Sequence, residues 1–320
     1  MSGPPGARAP KLEDPAATAP GLSMGRPSPP AGRAPTASLA AALGAFLIWG
    51  LIPIFFKAMA EVPPAEIVAH RIVWAALLIA VFVWVTGRGA RTMGILAHPR
   101  LLLGLAGSSG LLTVNWLVYI WAVNNDRVLE TSLGYFINPL VNIALGVAFL
   151  GERLRTVQWF AVVLAAAGVG TMAVGHGALP WIPLVLAVSF GLYGLMRKVM
   201  PVDPIGGLLI ETLVMAPGAL GYLVWLGGTG EGAFRAGSPT VDVMLAATGV
   251  ATAIPMTLFV IAARGLRLAT LGFIQYLAPS TTFLLGVFLY REPLTPALGV
   301  TFAFVWAGLA LYSFDLLRRR

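Results

Sequence analysis

Residues 133–154 read LGYFINPLVNIALGVAFLGERL, and residues 273–294 read FIQYLAPSTTFLLGVFLYREPL. Laid over each other without a gap, they share Pro139/Pro279, Leu145/Leu285, Gly146/Gly286, Val147/Val287, Glu152/Glu292 and Leu154/Leu294. The same offset pairs Pro64 with Pro204, Arg127 with Arg267, and Arg71 with Glu211. A single ungapped register running through several segments is the mark of one unit used twice.

Composition says what that unit is made of. The chain has 320 residues, 58% hydrophobic and 11% charged. Soluble domains carry about a quarter charged residues, so a soluble fold of this size could not hide so much apolar surface. A spanning helix needs about 20 largely apolar residues. Ten stretches qualify: 38–59, 65–86, 101–123, 128–150, 154–175, 178–199, 204–226, 240–263, 268–290 and 294–315. Backbone polar groups in lipid must be satisfied within their own segment, so the stretches are read as helices. The connections are short and rich in Gly, Pro and charge, the longest being GGTGEGAFRAGSPT near 227–240. The expected fold is an all-α integral membrane protein of ten helices.

With five helices per unit, the second copy enters the membrane the opposite way up. The chain then divides into a first repeat over 38–176 and an inverted second repeat over 177–316. Residues 1–37, with nine prolines and five glycines, read as a disordered tail. That tail has no short apolar run ending in a small-residue cleavage site, so it does not read as a signal peptide. Residues 317–320 are a basic C-terminus. Of the 21 Lys and Arg, an N-terminus in the cytoplasm puts only Lys57, Arg127, Arg235 and Arg291 outside and Arg71 within a span. The remaining sixteen fall inside, as positive-inside topology requires. Both termini are thus expected in the cytoplasm.

Inverted repeats are the plan of many secondary transporters, whose sites lie near the midplane where the halves meet. Prolines inside a span remove a backbone bond. Pro139 and Pro279 sit at equivalent points of the two halves and mark candidate helix interruptions. Polar groups at membrane depth are costly and face the interior or water. Candidate solute-binding residues are Trp49, Arg71, Asn115, Tyr119, Tyr135, Asn138, Asn142, Gln275 and Tyr276, an aromatic pocket with amide donors. Arg71 is expected to meet Glu130 at the start of the fourth span, or to reach outward. Glu211, with no cation at its expected depth, is a candidate proton-coupling group. His70 and Glu66, one turn apart, form a second titratable pair. The small faces GLAGSSG at 104–110 and AAAGVG at 165–170 let helices approach closely.

Several classes are set aside. There is no cysteine, so no disulfide or thiolate metal site. Three scattered histidines, at 70, 98 and 176, do not make a metal site. No P-loop, G-x-S-x-G or H-E-x-x-H motif is present. The chain is therefore read as neither an enzyme nor a cofactor protein. The net charge of +8 is explained by topology, not by nucleic acid. Its partners are a small-molecule solute and the lipid bilayer, with a homodimer also compatible. The competing reading is a non-transporting membrane sensor or scaffold, which needs no paired polar cavity.

Particular motifs are similar to those of one family. IWG at 48–50, EIVAHR at 66–71, NWLVYIWAVNN at 115–125 and LETSLGYFINPLVNIALG at 129–146 carry the likeness. So do GERL at 151–154, YGLMRK at 193–198, LIET at 209–212, RGLRLATLGFIQY at 264–276 and VTFAF at 300–304. Over about residues 40–315 the chain resembles the RarD group of the EamA family, in the drug/metabolite transporter superfamily. The resemblance implies ten helices in two inverted five-helix repeats. It also implies solute movement by alternating access without ATP.

Overall fold

The computed structural model describes residues 35–151, 155–176, 179–266, 271 and 274–317. The helices are α1 (Pro35–Lys57), α2 (Pro64–Val85), a short α3 (Gly89–Met93), α4 (Pro99–Asn124) and α5 (Val128–Leu150). After these come α6 (Thr156–His176), α7 (Trp181–Val199), α8 (Pro204–Thr229) and α9 (Pro239–Gly265). The last are α10 (Leu277–Leu284), which runs into a π-helical turn at Leu285–Leu289, and α11 (Pro296–Leu317). Among the described residues, nine helices are long and apolar enough to cross a membrane, and Leu277–Leu289 is a shorter apolar helix. The protein is a multi-pass membrane protein. Trp84, Val174 and Phe288 are 79%, 86% and 73% exposed, and many other large apolar side chains are exposed with them. Only a lipid surround tolerates such exposure in such numbers.

Local chemistry sets the helix ends. Pro64, Pro99, Pro204 and Pro239 stand in first turns, where the missing N–H costs nothing and the fixed φ is already helical. Asp203 accepts from the Gly206 amide and caps α8 at 3.0 Å. Gly151 and Gly230 end α5 and α8 with φ of 65° and 73°, a conformation that spares only glycine the Cβ clash. The start of α5 is capped from far away: Glu292 accepts from the amides of Val128 and Leu129 at 2.6 and 2.8 Å. The glutamate that recurs in the opening motif therefore does, in its second copy, a helix-capping task. Its first copy, Glu152, with Arg153 and Leu154, lies outside the described residues, as does Arg267.

The helices match the apolar runs with one exception. The ninth run, expected as a helix over 268–290, is broken: residues 275 and 276 form a turn and α10 begins at Leu277. Pro279 sits in the first turn of the new helix. Its carbonyl accepts the Ser132 hydroxyl of α5 at 2.8 Å. Pro139 lies inside a continuous α5, so the two matched prolines are not equally disruptive. Residues 267–270, 272 and 273 of that run lie outside the described residues. The connection after α2 also holds α3 and a single 3-10 turn at Gly94–Ala97.

The principal packing pairs are α6 with α11, α5 with α7, α1 with α9, α2 with α8 and α9, α4 with α7 and α8, and α10 with α1 and α5. Small residues permit the closest of these. A Cβ on Gly168 would stand 2.9 Å from Phe304 Cβ and 3.2 Å from the Thr301 carbonyl. One on Gly308 would stand 2.8 Å from the Ala161 carbonyl. The Thr301 hydroxyl donates back to the Gly168 carbonyl at 2.9 Å. At one end, Lys57 meets Asp126 at 2.5 Å, close to the Glu292 cap. At the other end, Gly206 of α8 rests against Thr92.

Candidate functional site

Helices α1, α2, α4 and α5 face α7, α8, α9 and the 275–282 segment across a cavity of about 890 Å³. It is lined by ten of the residues singled out above: Trp49, Arg71, Asn115, Tyr119, Tyr135, Asn138, Pro139, Gln275, Tyr276 and Pro279. They come from widely separated parts of the chain, yet they share one chamber. The lining runs from Trp116 and Tyr119 down to Arg197 at the end of α7 and Pro204 at the start of α8.

Arg71 is buried, and it is not directed to Glu130 as expected. Its Nε donates to the Thr252 hydroxyl of α9 at 2.9 Å. Its guanidinium lies 4.0 Å from the Trp116 ring centre and 5.6 Å from that of Phe56. A desolvated cation–π contact contributes about 2 kcal/mol. Glu130 is met instead by Arg127 at 3.3 Å, one turn earlier. The correction has a simple cause. Because α2 packs along α9, Arg71 meets a hydroxyl from the second half of the chain and not a carboxylate on the neighbouring outer corner.

The amides are used differently from expectation. Asn115 Nδ2 donates to the Leu186 carbonyl and the Ser189 hydroxyl, both at 3.0 Å. Its Oδ1 accepts from the Tyr135 hydroxyl at 3.2 Å. Asn138 Nδ2 donates to the Ala187 carbonyl at 3.1 Å, and its Oδ1 accepts from Asn142 at 2.9 Å. Both asparagines therefore pin α4 and α5 to α7 as interhelical hydrogen bonds. They shape the chamber wall but have few donors left for a guest. Asn142 supports Asn138 and does not line the cavity.

Glu211 is fully buried, and it does have a cation. Its Oε1 lies 3.8 Å from Arg197 Nε and accepts from the Ser108 hydroxyl at 2.5 Å. Its Oε2 accepts from the Tyr193 hydroxyl at 3.3 Å. Arg197 and Tyr193 line the cavity, while Glu211 stands behind them. Arg197 also donates to the carbonyls of Asp203 and Pro204. Sequence reasoning missed Arg197 because an arginine at the cytoplasmic end of a span reads as a topology signal. Its place just across a short helical hairpin from Glu211 was the available clue.

Glu66 and His70 lie apart from the chamber. Glu66 Oε1 accepts from the amides of Ala233 and Phe234, at 2.8 and 3.1 Å, in the α8–α9 connection. His70 Nδ1 accepts from Trp74 Nε1 at 3.2 Å. An indole nitrogen only donates, so Nδ1 is bare and the neutral ring carries its proton on Nε2. Protonating Nδ1 would break that bond. The pair therefore holds the start of α2 against a loop.

Long apolar helices around an aromatic-walled, solute-sized chamber define a class: a multi-pass membrane protein that handles a small molecule. The EamA-like transporter family model matches residues 36–174. An uncharacterized transporter of Vibrio cholerae is 44% identical over 277 residues, covering 87% of this chain and 92% of that one. Protein RarD of Streptomyces exfoliatus is 44% identical over 275 residues, covering 86% and 87%. The chain belongs to the EamA-like transporter family, and it is a membrane transporter of that type. A solved crystal structure, 20% identical, superposes with a TM-score of 0.55 over 89% of this chain and 99% of that chain. That likeness concerns the fold alone.

Proposed function

We propose that the protein is a secondary-active permease that moves a small organic solute across the bacterial cytoplasmic membrane by alternating access. The observation that carries this is the chamber of about 890 Å³ walled by helices from both halves of the chain. Its size and its aromatic lining suit a modest organic molecule.

The mechanism needs two halves that can rock about a common axis, which inverted repeats provide. We read ten spans, with repeats over 38–176 and 177–316 and both termini cytoplasmic. Helix packing supports the reading. Exchanging α1 with α7, α2 with α8, α4 with α9, α5 with α10 and α6 with α11 turns the principal pairs into one another. Thus α1·α9 becomes α7·α4, α5·α7 becomes α10·α1, and α6·α11 maps onto itself. The glycine contacts follow the register of the opening motif. Gly168 lies against Thr301 while Gly308 lies against Ala161, and 168 corresponds to 308 as 161 does to 301. The polar anchors correspond too, since Arg71 of α2 bonds α9 and Glu211 of α8 bonds α4.

Glu211 is the proposed coupling group. Taking up a proton would release Arg197 from its ion pair and change the charge presented to the chamber. A screen of organic solutes in proteoliposomes, with and without an imposed pH gradient, tests the proposal. We expect concentrative movement of at least one solute, abolished by Trp49→Ala. In Glu211→Gln, movement should continue downhill without responding to the gradient. Absence of movement for every solute in a broad screen, by protein shown to be folded, would overturn the reading.

A further inference from the structure

We infer that the solute is an organic anion, a carboxylate on an apolar, ring-sized body, with the carboxylate seated on Arg71. The inference deepens the permease reading and rests on it for the word solute; the anion site itself rests on the geometry that follows.

The charges around the chamber do not balance. Among the described residues that line it there are two arginines and no Asp or Glu. Arg197 is matched by Glu211 at 3.8 Å. Arg71 forms no ion pair with a described residue. Three other acids are engaged elsewhere: exposed Asp126 with Lys57, buried Glu66 with loop amides, and Glu292 with the start of α5. A buried cation without a counter-charge is expensive, and proteins keep one where something else supplies the anion. One unmatched positive charge calls for one negative charge.

Two contacts hold Arg71 and leave its working edge free. Thr252 takes Nε, and Trp116 stacks on the guanidinium at 4.0 Å. The N–H donors of the two Nη groups have no hydrogen-bond partner among the described residues. A guanidinium held in this way, with both amino groups free, is arranged for bidentate carboxylate binding. Of the three amides that line the chamber, Asn115 and Asn138 are engaged with α7, which leaves Gln275 as the amide open to a guest.

The rest of the chamber then defines the body of the solute. Phe46, Trp49 and Phe259 form one ring cluster, with centres 5.3 to 6.0 Å apart, and all three line the cavity. A flat apolar group fits against them.

Equilibrium binding to purified protein in nanodiscs, read by intrinsic tryptophan fluorescence, tests the inference without requiring transport. The probes are 3-phenylpropionate, its uncharged primary amide, and 2-phenylethylamine. A charge-assisted bidentate contact predicts that wild type binds the carboxylate at least about tenfold tighter than the amide, with the amine weakest. Arg71→Gln should erase that preference, chiefly by lowering carboxylate affinity about tenfold, and its circular dichroism spectrum and unfolding midpoint check that the variant is folded. Arg71→Lys should keep part of the preference. Equal affinities in wild type, including no measurable binding of either, overturn the inference, as does a carboxylate preference that survives in Arg71→Gln. Carboxylate binding without movement into vesicles would leave the anion site standing and remove the permease reading. Movement of amides or amines in preference to carboxylates would do the reverse.

Discussion

Replacing Glu292 with alanine should strip the cap from α5. Two buried amides, Val128 and Leu129, donate to its carboxylate at 2.6 and 2.8 Å. Hydrogen bonds to a charged group contribute about 1.5–3 kcal/mol each, and a lost cap alone costs roughly 0.5–2 kcal/mol. The site is at a helix end, where water can replace part of the loss, so the expected cost is about 2–4 kcal/mol. Glutamine keeps one acceptor and turns a donor toward the other amide, so Glu292→Gln should cost about half as much. The assay is thermal unfolding of purified protein in one detergent, followed by tryptophan fluorescence. At about 2–4 °C per kcal/mol, Glu292→Ala should lower the midpoint by roughly 5–15 °C, and Glu292→Gln by about half that. A Glu292→Ala midpoint within about 1 °C of wild type would refute the capping argument. So would a Glu292→Gln variant less stable than Glu292→Ala.

Other outcomes follow from the same structure. Gly308→Ala places a methyl 2.8 Å from the Ala161 backbone carbonyl and should destabilise by about 1–3 kcal/mol, read as a lower unfolding midpoint. Gly168→Ala should behave alike, while Gly110→Ala, which meets nothing within 4 Å, should be neutral or slightly stabilising. Removing Arg197 leaves Glu211 buried without its cation, so Arg197→Met should cost about 3–5 kcal/mol. Glu211→Gln should cost less, because its neutral amide needs no counter-charge, and the Arg197→Met/Glu211→Met double variant should regain much of the loss. Equal damage from both single variants in unfolding assays would contradict the ion-pair reading.

Much of the helix layout was legible because lipid imposes a length and a composition on each span. The exceptions have local causes. The break at Gln275–Tyr276 leaves no mark in an apolar count, since the run around it is as hydrophobic as a continuous helix. The proposed repeat register comes from the ungapped motif alone, and the reciprocal Gly168 and Gly308 contacts, which both need a missing side chain, are what support it. In the site, aromatic and polar residues at membrane depth pointed to the chamber because burial there needs a reason. Which oxygen Arg71 meets was not legible, since Thr252 lies far along the chain and only the α2–α9 packing brings it close. Asn115 and Asn138 read as binding groups for the same reason. A sequence shows that an amide is buried, but not that α7 carbonyls already occupy it.

The most direct measurement concerns which side of the membrane the two matched corners face. The chain has no native cysteine, so Arg155→Cys and Arg291→Cys each introduce one exposed thiol beside the GERL and REPL corners. A membrane-impermeant maleimide applied to intact spheroplasts should label Arg291→Cys at once and Arg155→Cys only after the membrane is opened. Labelling of both from the same side would contradict two copies of one unit set in opposite directions.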